Sequence, residues 1–267
     1  MTTVGTEFEM NKERRLNDIL VVILLVLGLL ACSSLHQSIQ TAAPEKAHTL
    51  RAAIVDQLSL SHPNQAFVKE SSDILKKAGY AVDYFKGEDV TVEFFRNLPV
   101  PEYDLIVFRV HSTYVQRYLS LAMFTSEPYS KERYVDEQHR NRVASGFIEP
   151  YHDGDPRYMV ITDKFVRYSM NGSFRNTVIV MMGCTGMKKC MASAFLQKGA
   201  KAYIGWDGLV TAEHTDKATL LLLKQLLLER QTIARAIGET MKEAGVDPVH
   251  KSMLLFWPIE AGDIKVK

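Results

Sequence analysis

Two side chains in this 267-residue chain pair the chemistry of acyl transfer with a placement that can bring them together: His111 and Cys184. A thiol attacks a carbonyl as its thiolate, and a nearby imidazole supplies the base that generates it. His111 directly follows the apolar run Asp104–Val110, and Cys184 follows Thr177–Met182 by one glycine. Neighbouring parallel strands lie about 4.8 Å apart, so residues just past two adjacent strand ends can meet. Open parallel sheets bind their ligands outside those carboxyl ends. The run Gly183-Cys184-Thr185-Gly186 allows close backbone approach. Its N–H groups suit an oxyanion hole, where one donor is worth roughly 3–4 kcal/mol. Taken singly, a strand-end cysteine is more often a small buried hydrophobe, and a lone histidine a structural residue. Their joint placement favours the chemistry.

The elements that must position this pair alternate strand and helix. Arg51–Leu58, Ala81–Lys86, Asp104–Val110, Thr177–Met182 and Ala200–Trp206 read as strands, with a last one over Ser252–Ile259. Between them, Gln65–Ala78 reads as a helix capped by Asn64 and closed by Gly79, and Val90–Asn97 as a short helix. Met191–Lys198 is a helix stopped by Gly199, while Thr215–Gln231 and Thr232–Ala244 form a pair. The leucine stripe of Thr215–Gln231 is too wide for a one-sided surface helix. This pattern predicts an α/β domain with a mainly parallel sheet covered on both faces. The polar stretch Thr113–Arg157 is too long for an ordinary connection and reads as an insertion. Gly146–Glu149 and Tyr158–Tyr168 look like extra strands there, forming a hairpin at the sheet edge. Asp163 is placed on the second of these, as a residue able to orient His111.

The N-terminus is of another kind. Lys12-Glu-Arg-Arg15 precedes the unbroken apolar run Ile19–Ala31, short of the roughly 20 residues a spanning helix needs but typical of an export signal. Leu29-Leu30-Ala31-Cys32 resembles a lipobox, which would make Cys32 a lipidation site; an uncleaved anchor is the alternative. Either way residues 1–32 are the signal or anchor, 33–49 a tether, and 50–267 an outward-facing domain. With 32 basic and 31 acidic residues there is no basic excess to hold a nucleic-acid backbone. Cys190 reads as a packing residue, although an oxidising compartment would permit a bond to Cys184. Two soluble cysteines without a histidine at ligand spacing suggest no zinc site, and no cofactor is implied.

The succession strand–His111-Ser112, strand–Gly183-Cys184, then Ala192–Gly199 leading into Ala200-Lys-Ala-Tyr-Ile-Gly205, resembles the caspase-like superfamily of cysteine peptidases. The segment Ser193–Trp206 is especially similar to gingipain and CHAT sequences, and the resemblance covers about Arg51–Ile259. It implies a three-layer sandwich around a six-stranded sheet with its last strand antiparallel, a His111–Cys184 dyad, and a peptide or protein substrate. It also implies oxyanion donors from Ser112, Gly183 and Thr185, and a substrate pocket at Trp206 and Asp207, where Asp207 would select Arg or Lys. Two departures stand out. Ser112 occupies the position where the family usually carries glycine, and the 73-residue gap between His111 and Cys184 exceeds the family's, an excess that the insertion accounts for. A second function therefore stays open: a catalytically inactive fold of this kind used as a binding or signalling module at the cell surface.

Overall fold

The computed structural model describes residues 49–116, 119–148 and 152–267, all within one unit, Thr49–Lys267. The signal segment and Cys32 lie outside the described residues. The chain opens with β1 (Arg51–Asp56), α1 (Gln65–Lys77), β2 (Ala81–Lys86), α2 (Val92–Asn97) and β3 (Leu105–Arg109). It continues with β4 (Ser112–Val115), β5 (Ser120–Pro128), α3 (Val135–His139), β6 (Val143–Gly146), β7 (Tyr158–Thr162) and α4 (Asp163–Tyr168). The last third holds β8 (Val178–Met181), α5 (Lys189–Gln197), β9 (Ala202–Trp206), α6 (Ala212–Leu223), α7 (Ile233–Ala244) and β10 (Leu254–Trp257).

Six of these strands form a sheet ordered β10-β9-β8-β3-β1-β2, parallel throughout except for the antiparallel edge strand β10. The central strands read as continuous apolar runs because both of their faces are covered. Ala53, Val55, Ile106, Phe108, Ile179, Met181 and Tyr203 point into one core, which also takes Phe95 of α2, Phe165 of α4 and Phe195 of α5. The alternate residues Ala52, Ile54, Leu105, Val107, Val180 and Ile204 point into a second core with Phe67 and Leu75 of α1, Leu222 of α6 and Ile237 of α7. Asn64 caps α1 as its sequence requires, its Oδ1 accepting the Phe67 N–H at 3.0 Å.

The insertion departs from the expected hairpin. It is a four-stranded antiparallel sheet ordered β4-β5-β7-β6, and it starts at Ser112, immediately after His111. One face packs Leu121, Met123, Val143, Met159 and Ile161 onto the first core. The other gathers Ala122, Phe124 and Val160 into a small apolar cluster of its own. Gly146 ends β6 rather than beginning a strand, and the chain after Thr162 turns helical instead of extending to Tyr168. The cause is local: Thr162 Oγ1 accepts the Lys164 N–H and caps α4. Among the described residues, no helix is long and apolar enough to cross a membrane.

Candidate active site

The two strands that deliver the candidate pair are hydrogen-bonded neighbours. β3 and β8 run parallel in a register that sets Leu105 beside Val178 and Phe108 beside Met181, so both end at the same level of the sheet. Beyond those ends the backbones converge, and Gly183 is what permits it. A Cβ there would stand 2.3 Å from Ser112 Oγ and 2.6 Å from the Val110 carbonyl oxygen, far inside contact distance. Ser112 Oγ uses this proximity to donate to the Cys184 carbonyl at 2.7 Å, and Thr185 Oγ1 donates to the same oxygen at 2.7 Å. Ser112 thus serves as a tie between the two strand ends.

His111 is held from three sides. Its N–H donates to Gln57 Oε1 at 3.0 Å and its carbonyl accepts the Phe124 N–H at 2.9 Å, fixing the backbone between the two sheets. On the ring side, Ser61 Oγ lies 3.1 Å from His111 Nε2 and 3.0 Å from His62 Nδ1. A hydroxyl carries one proton, so Ser61 donates to one imidazole and accepts from the other. Burial pushes the His111 imidazole down to about 4, with the charges of His62 and Arg109 acting in the same direction. The ring is therefore neutral through the physiological range, the form required of a general base. Cys184 Sγ meets the Val210 carbonyl at 3.5 Å. Among the described residues, no hydrogen bond joins the His111 ring to the Cys184 thiol.

Both side chains nevertheless line one cavity of about 850 Å³, within the range of small-molecule and peptide sites. Its wall runs from the strand ends at His111 and Cys184 across the loop Leu209–Thr211 to the outer face of the second sheet. Among the described residues, the Gly183 and Cys184 N–H groups find no acceptor, which leaves them free for a bound oxygen. Thr185 is different. Its N–H donates to the Gly208 carbonyl at 2.7 Å, so this expected oxyanion donor is already committed to holding the turn.

The expected pocket residues lie elsewhere. Trp206 is fully buried in the second core, its Nε1 donating to Thr215 Oγ1 at 2.8 Å, and it does not line the cavity. Asp207 is exposed, and its Oδ1 accepts the Met253 N–H at 2.9 Å, extending the β9–β10 pairing instead of facing a substrate. Strand alternation sends Trp206 into the core, and the chain leaves the sheet before Leu209 reaches the cavity. Asp163 heads α4, where it accepts from Ser120 Oγ and pairs with Arg167; among the described residues no hydrogen bond or ion pair joins it to His111. Cys190 sits on α5 against the first core, whereas Cys184 packs against the second; both thiols are free, and burial pushes the Cys190 thiol up.

Sequence reading missed the loop after β1, which contributes Gln57, Ser61 and His62, although it too leaves the carboxyl end of a neighbouring strand. It also missed the buried cluster beneath. Arg109 Nε and Nη2 donate to the two Asp216 oxygens at 2.7 and 2.8 Å, and Nη1 donates to Asp56 at 2.8 Å. Nη2 also donates to the His62 carbonyl at 2.8 Å, tying the Ser61–His62 loop to β3. Among the described residues, no group of three or more His, Cys, Asp or Glu is placed to hold a metal ion. In comparison with known proteins, no family model and no curated relative matches the chain.

Proposed function

We propose that the protein is a cysteine endopeptidase of the caspase-like kind, exported and held at the membrane through its N-terminal segment. The observation that carries this reading is the convergence of His111 and Cys184 from adjacent strand ends onto one cavity, beside two unengaged backbone N–H groups. The sheet order, with its single antiparallel edge strand, supports the same reading. In the reaction, His111 takes the thiol proton and Cys184 Sγ bonds to the peptide carbonyl carbon. The Gly183 and Cys184 N–H groups stabilise the oxyanion. Collapse breaks the C–N bond, His111 returns the proton to the departing amine, and a thioester remains. Water, deprotonated by His111, then hydrolyses it to free acid and thiol. For this the His111 ring must exchange Ser61 for the thiol proton.

A second reading rests on that same exchange. With the ring held by Ser61 and the thiol by the Val210 carbonyl, the site also suits a binding module that never hydrolyses its ligand. One pair of measurements separates the two. The peptidase reading expects Cys184→Ala to abolish peptide hydrolysis, and His111→Ala to slow iodoacetamide alkylation of Cys184 at pH 7 by ten-fold or more. Hydrolysis that survives Cys184→Ala rules out the mechanism. Alkylation indifferent to His111 favours the module.

A further inference from the structure

We infer that this site accepts a large apolar side chain next to the scissile bond, seated on the outer face of the second sheet, and disfavours charged ones. The inference rests on the peptidase reading for the words "scissile bond", but the subsite itself stands on the shape and chemistry of the cavity wall. Away from His111 and Cys184, the apolar part of the wall is Ala122, Phe124, Ala144, Gly146, Ile148 and Val160. Ala122, Phe124 and Val160 are buried together in a cluster that Ala144 and Ile148 pack against. This cluster is separate from both main cores, and all three of its residues line the cavity. The floor is firm: a Cβ on Gly146 would stand 2.4 Å from Val160 Cγ1 and 3.0 Å from the Phe124 ring. Ala122 and Ala144 are short where a longer residue would fill the space.

The charge pattern points the same way. Among the described residues lining the cavity there is no Lys or Arg, and Glu213 is the single carboxylate. Glu213 is exposed on the first turn of α6 and also borders the separate cleft between α1 and α6, so it sits at a rim in contact with water. A guanidinium or carboxylate placed on the Phe124–Val160 floor would exchange its hydration for neutral hydroxyls such as those of Thr113, Ser145 and Thr162, with no opposite charge on that floor. Phe, Leu or Met would exchange water for apolar contact. Discrimination of this kind between side chains commonly reaches 10–200-fold for small differences in apolar size.

The test uses the full chain carrying Cys184→Ala, so that binding is read without turnover. Acetylated Ala-Ala-X-Ala amides with X as Phe, Leu, Arg or Asp are titrated calorimetrically. The proposal expects the Phe and Leu peptides to bind at least ten-fold tighter than the Arg and Asp peptides. Adding Ala144→Phe should erase that preference, while Val160→Ala, which removes volume and apolar contact, should shift it toward X as Phe over X as Leu. Equal affinity across the four peptides, tighter binding of Arg or Asp, or indifference to both wall variants would overturn the subsite. Failure of the wild-type chain to hydrolyse the Phe peptide, while these affinities hold, would remove the peptidase reading and leave the apolar subsite in place.

Discussion

His111 does its work as a neutral ring, and its surroundings keep it so. Burial and the nearby charges of His62 and Arg109 lower its proton affinity to about 4, from the ordinary imidazole value near 6.5. Folding is therefore linked to pH in a defined sense. Between about 6.5 and 4 the unfolded chain takes up a proton that the folded site refuses, so stability falls as pH falls through that window and the loss is complete below 4. Urea unfolding followed across that range should show this slope in the wild type and a shallower one in His111→Gln, which has no titrating ring. Equal slopes would show that the acid sensitivity arises elsewhere. The Ser61 hydroxyl takes part in the same arrangement, because bridging two imidazoles fixes which nitrogen of His111 is occupied at rest.

At the scale of elements, the site depends on two strand ends approaching more closely than side chains normally allow. Gly183→Ala would place its Cβ 2.6 Å from a backbone oxygen, so the strand ends must separate. We expect a loss of about 1–3 kcal/mol, together with slower alkylation of Cys184 as the Ser112 tie lengthens. Gly238→Ala on α7 is the control: a Cβ there meets nothing within 4 Å, and replacing a helical glycine should stabilise the fold by up to about 1 kcal/mol. Denaturation midpoints that fail to separate the two variants would refute the close-approach argument. The approach was legible in part. His111 and Cys184 could be placed at strand ends because the runs Leu105–Phe108 and Val178–Met182 are continuously apolar and stop just before them, at Arg109 in one case and Gly183 in the other. The second sheet was not legible, since β5 buries Leu121 and Met123 on one face and Ala122 and Phe124 on the other, leaving no period-two pattern to read. The start of α6 escaped for another reason. Asp247, far along the chain, accepts from both the N–H and Oγ1 of Thr211 at 2.9 Å, so a tertiary contact sets the helix start ahead of Thr215.

Over the whole molecule, one buried ion cluster joins segments that sequence keeps far apart. Arg109 at the end of β3 binds Asp56 at the end of β1, Asp216 on α6 and the His62 carbonyl, and its side chain and that of Asp56 are each only 1% exposed. The loop bearing Ser61 and His62, the end of β1 and the helix α6 are thereby tied to one guanidinium two residues before His111. Burial raises the proton affinity of Asp56 even with Arg109 beside it, the hydrogen bond and charge of Arg109 opposing that rise. Removing the cation withdraws that opposition and leaves two buried carboxylates facing each other. Arg109→Met should therefore cost about 3–5 kcal/mol near pH 7, the range for breaking a buried pair by taking one partner. The sign with pH follows. A carboxyl whose folded affinity for protons exceeds its unfolded one destabilises the fold at pH values above the unfolded value near 3.9, and increasingly so as pH rises toward the folded one. The Arg109→Met deficit should thus grow from pH 4.5 to pH 7.5, and the triple variant that adds Asp56→Asn and Asp216→Asn should recover part of it and lose the pH dependence. Unfolding free energies of the three proteins at the two pH values decide the matter: a deficit independent of pH, or one the added amides deepen, would mean that Arg109 acts through its packing on the Phe67 ring, 5.5 Å away, and not through its charge.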